Sequence, residues 1–205
     1  MREDFKPNRY LTLNETLETL SSFHLDTLNL IGGEPTTIPD LDRIVEYAKK
    51  DRKARVRVAH SNASIMPPKD VDEVGVSLRA FSKRKHQQLT GAPNTKVLSN
   101  IFRMHDLGIK VKVSTVLIPD MIDLHEIEEI AKFVASVGPK VPLHITGYIP
   151  VPGLPWRRPT RDEMADAVIA AKKHNSLVTC SFLTVREYLV FSEYDSLHGR
   201  GQEVL

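Results

Sequence analysis

The chain has 205 residues, 41% hydrophobic and 26% charged, which is enough for one domain with a sizeable core. Its net charge of +2 is too close to neutral to point to nucleic acid. No apolar run is long enough to cross a bilayer, no signal-type core opens the chain, and a cytoplasmic location is expected.

The pattern alternates helix and strand. Thr12 and Glu15 make a capping box, with a helix over "NETLETLSSF" behind it. "LDTLNLI" reads as a strand. Pro39-Asp40 opens a second helix that buries Leu41, Ile44, Val45 and Ala48. "ARVRVAH" and "VDEVGVSL" are the next two strands, and the basic run "FSKRKHQQ" after them reads as a solvated face. Asn94 starts a helix whose stripe is Leu98, Ile101, Phe102 and His105, and Gly108 stops it. "IKVKVSTVLIP" is a fourth strand. Asp123 to Glu126 begins a helix that buries Ile127, Ile130, Ala131 and Val134. "VPLHITGYIP" is a fifth strand. Thr160 and Glu163 form another capping box, ahead of Met164, Ala167, Val168 and Ala171. "SLVTCSFL" is a sixth strand, and residues 184–205 form a tail without a clear pattern.

Strands that alternate with single helices imply parallel pairing. Six such units are fewer than a closed eight-fold barrel needs. The class is α/β in one domain, either a partial barrel or an open doubly wound sheet. Both architectures put their sites at the carboxyl ends of the strands.

The strand ends carry the candidate chemistry. After the first strand come Gly32, Gly33, Glu34 and Pro35. Glycines allow positive torsions and close approach of a ligand, and Glu34 offers an anion to a ligand ammonium group. A plain tight turn would use the same residues. Asn62, after the second strand, is either a bidentate polar reader or a turn former. On the third strand Gly75, Ser77 and Arg79 share a face, and an Arg there suits a carboxylate or phosphate. On the fifth, His144, Thr146 and Tyr148 share a face. The loop "YIPVPGLPWRRPT" beyond it, with Trp156, Arg157 and Arg158, is a substrate-contacting lid or a rigid connector. The only cysteine, Cys180, reads as a small buried residue.

These strand ends, in this order, resemble the radical S-adenosylmethionine superfamily, in the branch similar to pyruvate formate-lyase activating enzyme. "LNLIGGEPTTIPDL" is similar to the family's strand ending in GGE-P. "VGVSLRAFSKRKHQQLTGAPNTKVLSNIFRMHDLGIKVKVSTVLIPD" resembles the branch's strand, "H..LTG..N..VL.NI" stretch and strand ending in "VLIPG", and "PLHITGYIP" its "HI.R..P" strand. The resemblance implies a partial (β/α)6 TIM-like barrel. It implies that Gly32, Gly33, Glu34 and Pro35 hold the amino-acid end of S-adenosylmethionine. Asn62, Ser77 and Arg79 would line the cofactor channel, and His144 would lie deeper. The implied reaction is reductive cleavage of S-adenosylmethionine to a 5′-deoxyadenosyl radical that takes a hydrogen from a substrate, such as a glycine of a glycyl-radical enzyme partner.

The family also holds a [4Fe-4S] cluster through three cysteines, C-x3-C-x2-C, on a loop ahead of the GGE strand. Cys180 alone cannot supply them. The sequence therefore implies one of three things: a truncated radical enzyme lacking its first strand and cysteine loop, inactive alone; a protein completed by another chain; or a degenerate S-adenosylmethionine-binding or scaffold relative. An unrelated barrel enzyme using Arg79 and His144 on a phosphorylated or carboxylate substrate is the remaining class.

Overall fold

The computed structural model describes residues 9–183. The expected tail, residues 184–205, lies outside them. In chain order the elements are α1 (Leu13–Ser21), β1 (Thr27–Leu30), α2 (Leu41–Lys50), β2 (Arg55–Ser61), β3 (Glu73–Ser77), α3 (Lys83–Thr90), α4 (Thr95–Asp106), β4 (Lys110–Leu117), α5 (Leu124–Val137), β5 (Leu143–Gly147), α6 (Arg161–Lys172) and β6 (Val178–Ser181). A single 3-10 turn, Pro35–Thr37, follows β1.

All six strands are parallel in one sheet, in the order β1-β2-β3-β4-β5-β6. That order decides between the two architectures. A doubly wound sheet reverses direction at a switch point, whereas right-handed crossovers without reversal stack every helix on one face. The sheet is thus a six-stranded segment of a barrel. Its helix-facing side is aliphatic: Val56, Val58, Val74, Val76, Val111, Val113, Leu143 and Ile145 are buried there. The other, inner face carries the polar residues.

The helices follow local signals. Thr12 with Glu15 and Thr160 with Glu163 form both predicted capping boxes, and Asp123 caps α5 through the Glu126 N–H. The predicted stripes of α2 and α5 are buried as expected. The stripe of α4 is rotated from the expected one: Val97, Asn100, Ile101 and Met104 are buried, while Phe102 and His105 face out. Asn100 turns inward because its amide donates to the Ala63 carbonyl at 2.8 Å, which ties α4 to the loop after β2.

The alternation also departs from one helix per crossover. Residues 62–72 join β2 to β3 with no helix, and two helices, α3 and α4, lie between β3 and β4. Cys180 is exposed rather than buried. It sits on β6, an edge strand of the described sheet, where Val178 alone is buried.

Candidate functional site

The carboxyl end of the sheet is built from four loops. After β1, Gly32 and Gly33 both adopt positive φ, at 90° and 52°. An added Cβ at either would meet nothing within 4 Å. Neither backbone N–H has a partner among the described residues. The turn thus leaves main-chain donors open, at torsions that a side chain would strain.

Glu34 follows and is anchored from several directions. Its Oε1 accepts from the Thr36 hydroxyl at 2.7 Å and the Ser61 hydroxyl at 2.8 Å. Its Oε2 accepts from the Asn62 backbone N–H at 2.6 Å. Pro35 is buried at the first position of the 3-10 turn and sets its direction. Every donor to Glu34 is neutral, and Glu34 forms no ion pair among the described residues. A carboxylate held in place with its charge uncompensated is a site for a cation.

Asn62 plays two structural parts: its N–H serves Glu34, and its Oδ1 accepts from the Ser64 N–H at 2.7 Å. The turn-forming reading therefore accounts for the acceptor side of its amide. Ser61 is not among the residues that the sequence singles out, although it joins the ends of β1 and β2. Its only signal is a hydroxyl at a strand end.

At the end of β3, Ser77 is half-buried, and just beyond it Arg79 is exposed. Arg79 has no ion-pair partner among the described residues. It borders a cavity of about 240 Å³ shared with Leu89, Thr90, Val116, Ile118 and Tyr148. Leu89 and Thr90 come from α3, just after "FSKRKHQQ", and that run is solvated only in part, since His86 is buried and Phe81 packs against the core. In α3 Lys85 is mostly buried and meets Asp123 at 3.1 Å and Glu126 at 3.4 Å. Glu126 also accepts from the Ser82 N–H at 2.6 Å. Burial works to raise the Asp123 pKa, but the Glu126 N–H and Lys85 outweigh it and hold it below the ordinary carboxylate range. At the far end of α3, the His86 ring meets the Ala92 carbonyl at 2.8 Å, and the Asn94 amide donates to the Phe81 and Ala80 carbonyls. The "H..LTG..N" stretch is thus a clamp that fixes the cavity wall.

His144 lies elsewhere on the inner face. Its Nδ1 is 2.8 Å from the Thr179 hydroxyl and its Nε2 is 2.9 Å from the Ser181 hydroxyl, both on β6. The structure gathers Gly32, Gly33, Glu34, Pro35 and Asn62 into one cluster and sets Arg79 beside the cavity. His144 is held separately on the β5–β6 side. In the Pro-rich loop, Trp156 packs edge-on to Tyr148 with ring centroids 6.0 Å apart, and Arg157 pairs with Glu163 at 2.6 Å.

A six-stranded parallel barrel segment with an open Gly-Gly turn and an unpaired carboxylate at its carboxyl end places the chain in the α/β barrel class. The chain belongs to the radical SAM superfamily, whose family model matches residues 1–134. It is 35% identical over 176 residues to a Methanocaldococcus jannaschii protein named as a candidate glycyl-radical enzyme activating enzyme, covering 82% of this chain and 68% of that one. It is 28% identical over 148 residues to the GTP 3′,8-cyclase of Aquifex aeolicus, covering 66% of this chain and 46% of that one. A solved domain of the pyruvate-formate lyase-activating enzyme from Bacteroides vulgatus superposes with a TM-score of 0.61 at 19% identity, over 75% of this chain and 98% of that domain. That likeness bears on the fold alone.

The family implies S-adenosylmethionine and a [4Fe-4S] cluster. The open Gly32-Gly33 backbone and the uncompensated Glu34 fit the first. The second does not fit these 205 residues, which contain one cysteine where three thiolates are needed. Among the described residues no group of three or more His, Cys, Asp or Glu is placed to hold a metal ion.

Proposed function

We propose that the chain is the S-adenosylmethionine-cradling part of a radical enzyme of the kind that activates glycyl-radical enzymes. The observation that carries the reading is Glu34, fixed by neutral donors and left with its charge free. The ligand's ammonium group would pair with it, and the open N–H groups of Gly32 and Gly33 would face the ligand's carboxylate. Arg79 and the cavity beside it would line the path to the substrate. The likeness to a candidate activating enzyme supports a glycyl-radical enzyme as partner. Held there and reduced by one electron from a donor outside these residues, S-adenosylmethionine would supply the family's hydrogen-abstracting chemistry toward the partner's glycine. The residues of this chain bind and orient; electron delivery is assigned to none of them. The single cysteine favours a second reading, an S-adenosylmethionine-binding protein without radical chemistry.

Calorimetry with S-adenosylmethionine tests the cradle. In Glu34→Gln, the new amide can still donate to the Thr36 and Ser61 hydroxyls while its oxygen accepts the Asn62 N–H, so the turn survives and the charge is lost. Binding should weaken at least about tenfold, the loss of one charge-assisted contact. Equal binding by both chains would remove Glu34 from the site. No binding by the unaltered chain would overturn the reading. Reconstitution with iron and sulfide should yield no cluster absorbance from these residues alone.

A further inference from the structure

We propose that the amino ends of β2, β3 and β4 form a second site, at the opposite end of the sheet from the Gly32–Glu34 turn, that takes a small phosphate-bearing anion. A cavity of about 340 Å³ opens there, and the residues that set its charge are Lys49, Arg55, Lys69, Lys110, Asp70 and Asp72. The volume lies in the range of small-molecule sites. The residues come from three separate connections: the end of α2 into β2, the loop into β3, and the end of α4 into β4.

The acids do not neutralise the bases. Asp72 is already engaged: both its oxygens accept from Lys49 Nζ at 2.8 Å, and Oδ2 also accepts the Val56 N–H at 2.7 Å. Lys110 forms no ion pair among the described residues. Arg55 reaches Glu73 only at 3.9 Å. The inner face just above repeats the imbalance. There Arg57 at 2.7 Å and Lys112 at 2.8 Å already crowd the single carboxylate of Glu73. Register places Arg57, Glu73 and Lys110 side by side on neighbouring strands. In the cavity lining, Lys49, Arg55, Lys69 and Lys110 stand against Asp70 and Asp72, leaving two positive charges in one cleft of a molecule whose whole net charge is +2.

Such an excess raises the local potential and draws a multivalent anion. A phosphate group presents oxygens in several directions, matching ammonium and guanidinium donors from three loops, whereas a lone carboxylate presents one edge. Lys69 and Lys110 are exposed, so both can be removed without touching the core.

The test is thermal unfolding of the full chain with inorganic pyrophosphate, with inorganic phosphate, and with sodium chloride at matched ionic strength. Pyrophosphate should raise Tm by about 3 °C or more over the salt control. The rise should vanish in Lys69→Ala/Lys110→Ala, whose own Tm without ligand should equal or exceed that of the unaltered chain as like charges are relieved. An equal rise with inorganic phosphate would assign a single phosphate group; a larger one with pyrophosphate would assign a diphosphate. No rise above the salt control, or the same rise in the double variant, would overturn the proposal. So would stabilisation by an oligoglutamate peptide with none by pyrophosphate. S-adenosylmethionine binding should be unchanged in the double variant, which separates this site from the strand-end cradle.

Discussion

Two carboxylates stand at opposite ends of the same sheet, and they are satisfied in opposite ways. Glu34 accepts from two hydroxyls and backbone N–H groups and meets no cation among the described residues. Glu73, with its side chain only 9% exposed, is crowded by Arg57, Lys112 and Arg55. Burial works to raise the Glu73 pKa, yet Lys112 and Arg57 overcome it and hold the group below the ordinary carboxylate range. Neutral donors fix an anion without cancelling it, so its charge remains available to a ligand. Cations cancel it and here exceed it. One end of the sheet keeps a carboxylate without a cation, and the other sets two close cations against one carboxylate.

The largest expected effect breaks both ends at once. Gly75 is the next inner-face position above Glu73, and a Cβ there would lie 2.2 Å from the Ala59 carbonyl oxygen. Gly75→Ala must push β2 from β3, and β2 carries both Arg57 and the Ser61–Asn62 support of Glu34. Urea unfolding should show a loss of about 3 kcal/mol. Next, Glu73→Gln leaves Arg55, Arg57 and Lys112 together without their carboxylate, and should cost about 2 kcal/mol by the same measurement. Added pyrophosphate should recover part of that loss.

A third carboxylate, on the outer surface, calibrates the comparison. Hydrogen bonding to Arg157, helped by the Thr160 N–H, holds Glu163 at about 2, against an ordinary value of 4.5. Its folded pKa is depressed, so its contribution is complete above about pH 4.5 and is lost as pH falls toward 2. A third of this side chain is exposed, so the contribution should stay under about 1 kcal/mol. Glu163→Gln should flatten the decline in unfolding free energy between these pH values by that amount, read by urea unfolding at each pH.

The smallest effect concerns a hydroxyl without an acceptor. Thr36 and Ser61 spend theirs on Glu34, whereas the Thr115 hydroxyl is buried with no partner among the described residues. Thr115→Val keeps the shape and removes the unsatisfied group. It should be neutral or stabilising by up to about 1 kcal/mol.

Much of this architecture is legible in the amino-acid sequence. Capping boxes at Thr12 and Thr160, the stripes of α2 and α5, and the six strands all follow from short-range chemistry and periodicity. The Gly32-Gly33-Glu34 turn is visible there too. What escapes depends on contacts between distant segments. The rotation of α4 is set by Asn100 reaching Ala63 across 37 positions. The role of Ser61 needs Glu34, 27 positions away. The exposure of Cys180 comes from β6 being an edge strand, which no local pattern encodes. The basic end stays hidden because its charges are spread over three connections, each unremarkable alone.

The strictly sequential strand order has a kinetic consequence. Every pairing in the sheet joins a strand to the next one in the chain, so each addition closes one connection, the shortest being residues 62–72 and the longest residues 78–109. Loop-closure entropy grows only slowly with length, and here it recurs as a series of modest steps with no single long one among them. Assembly can then proceed by accretion, each new unit docking on the edge left by the last. Folding should accordingly be faster than for a sheet of equal size whose central strands come from opposite ends of the chain.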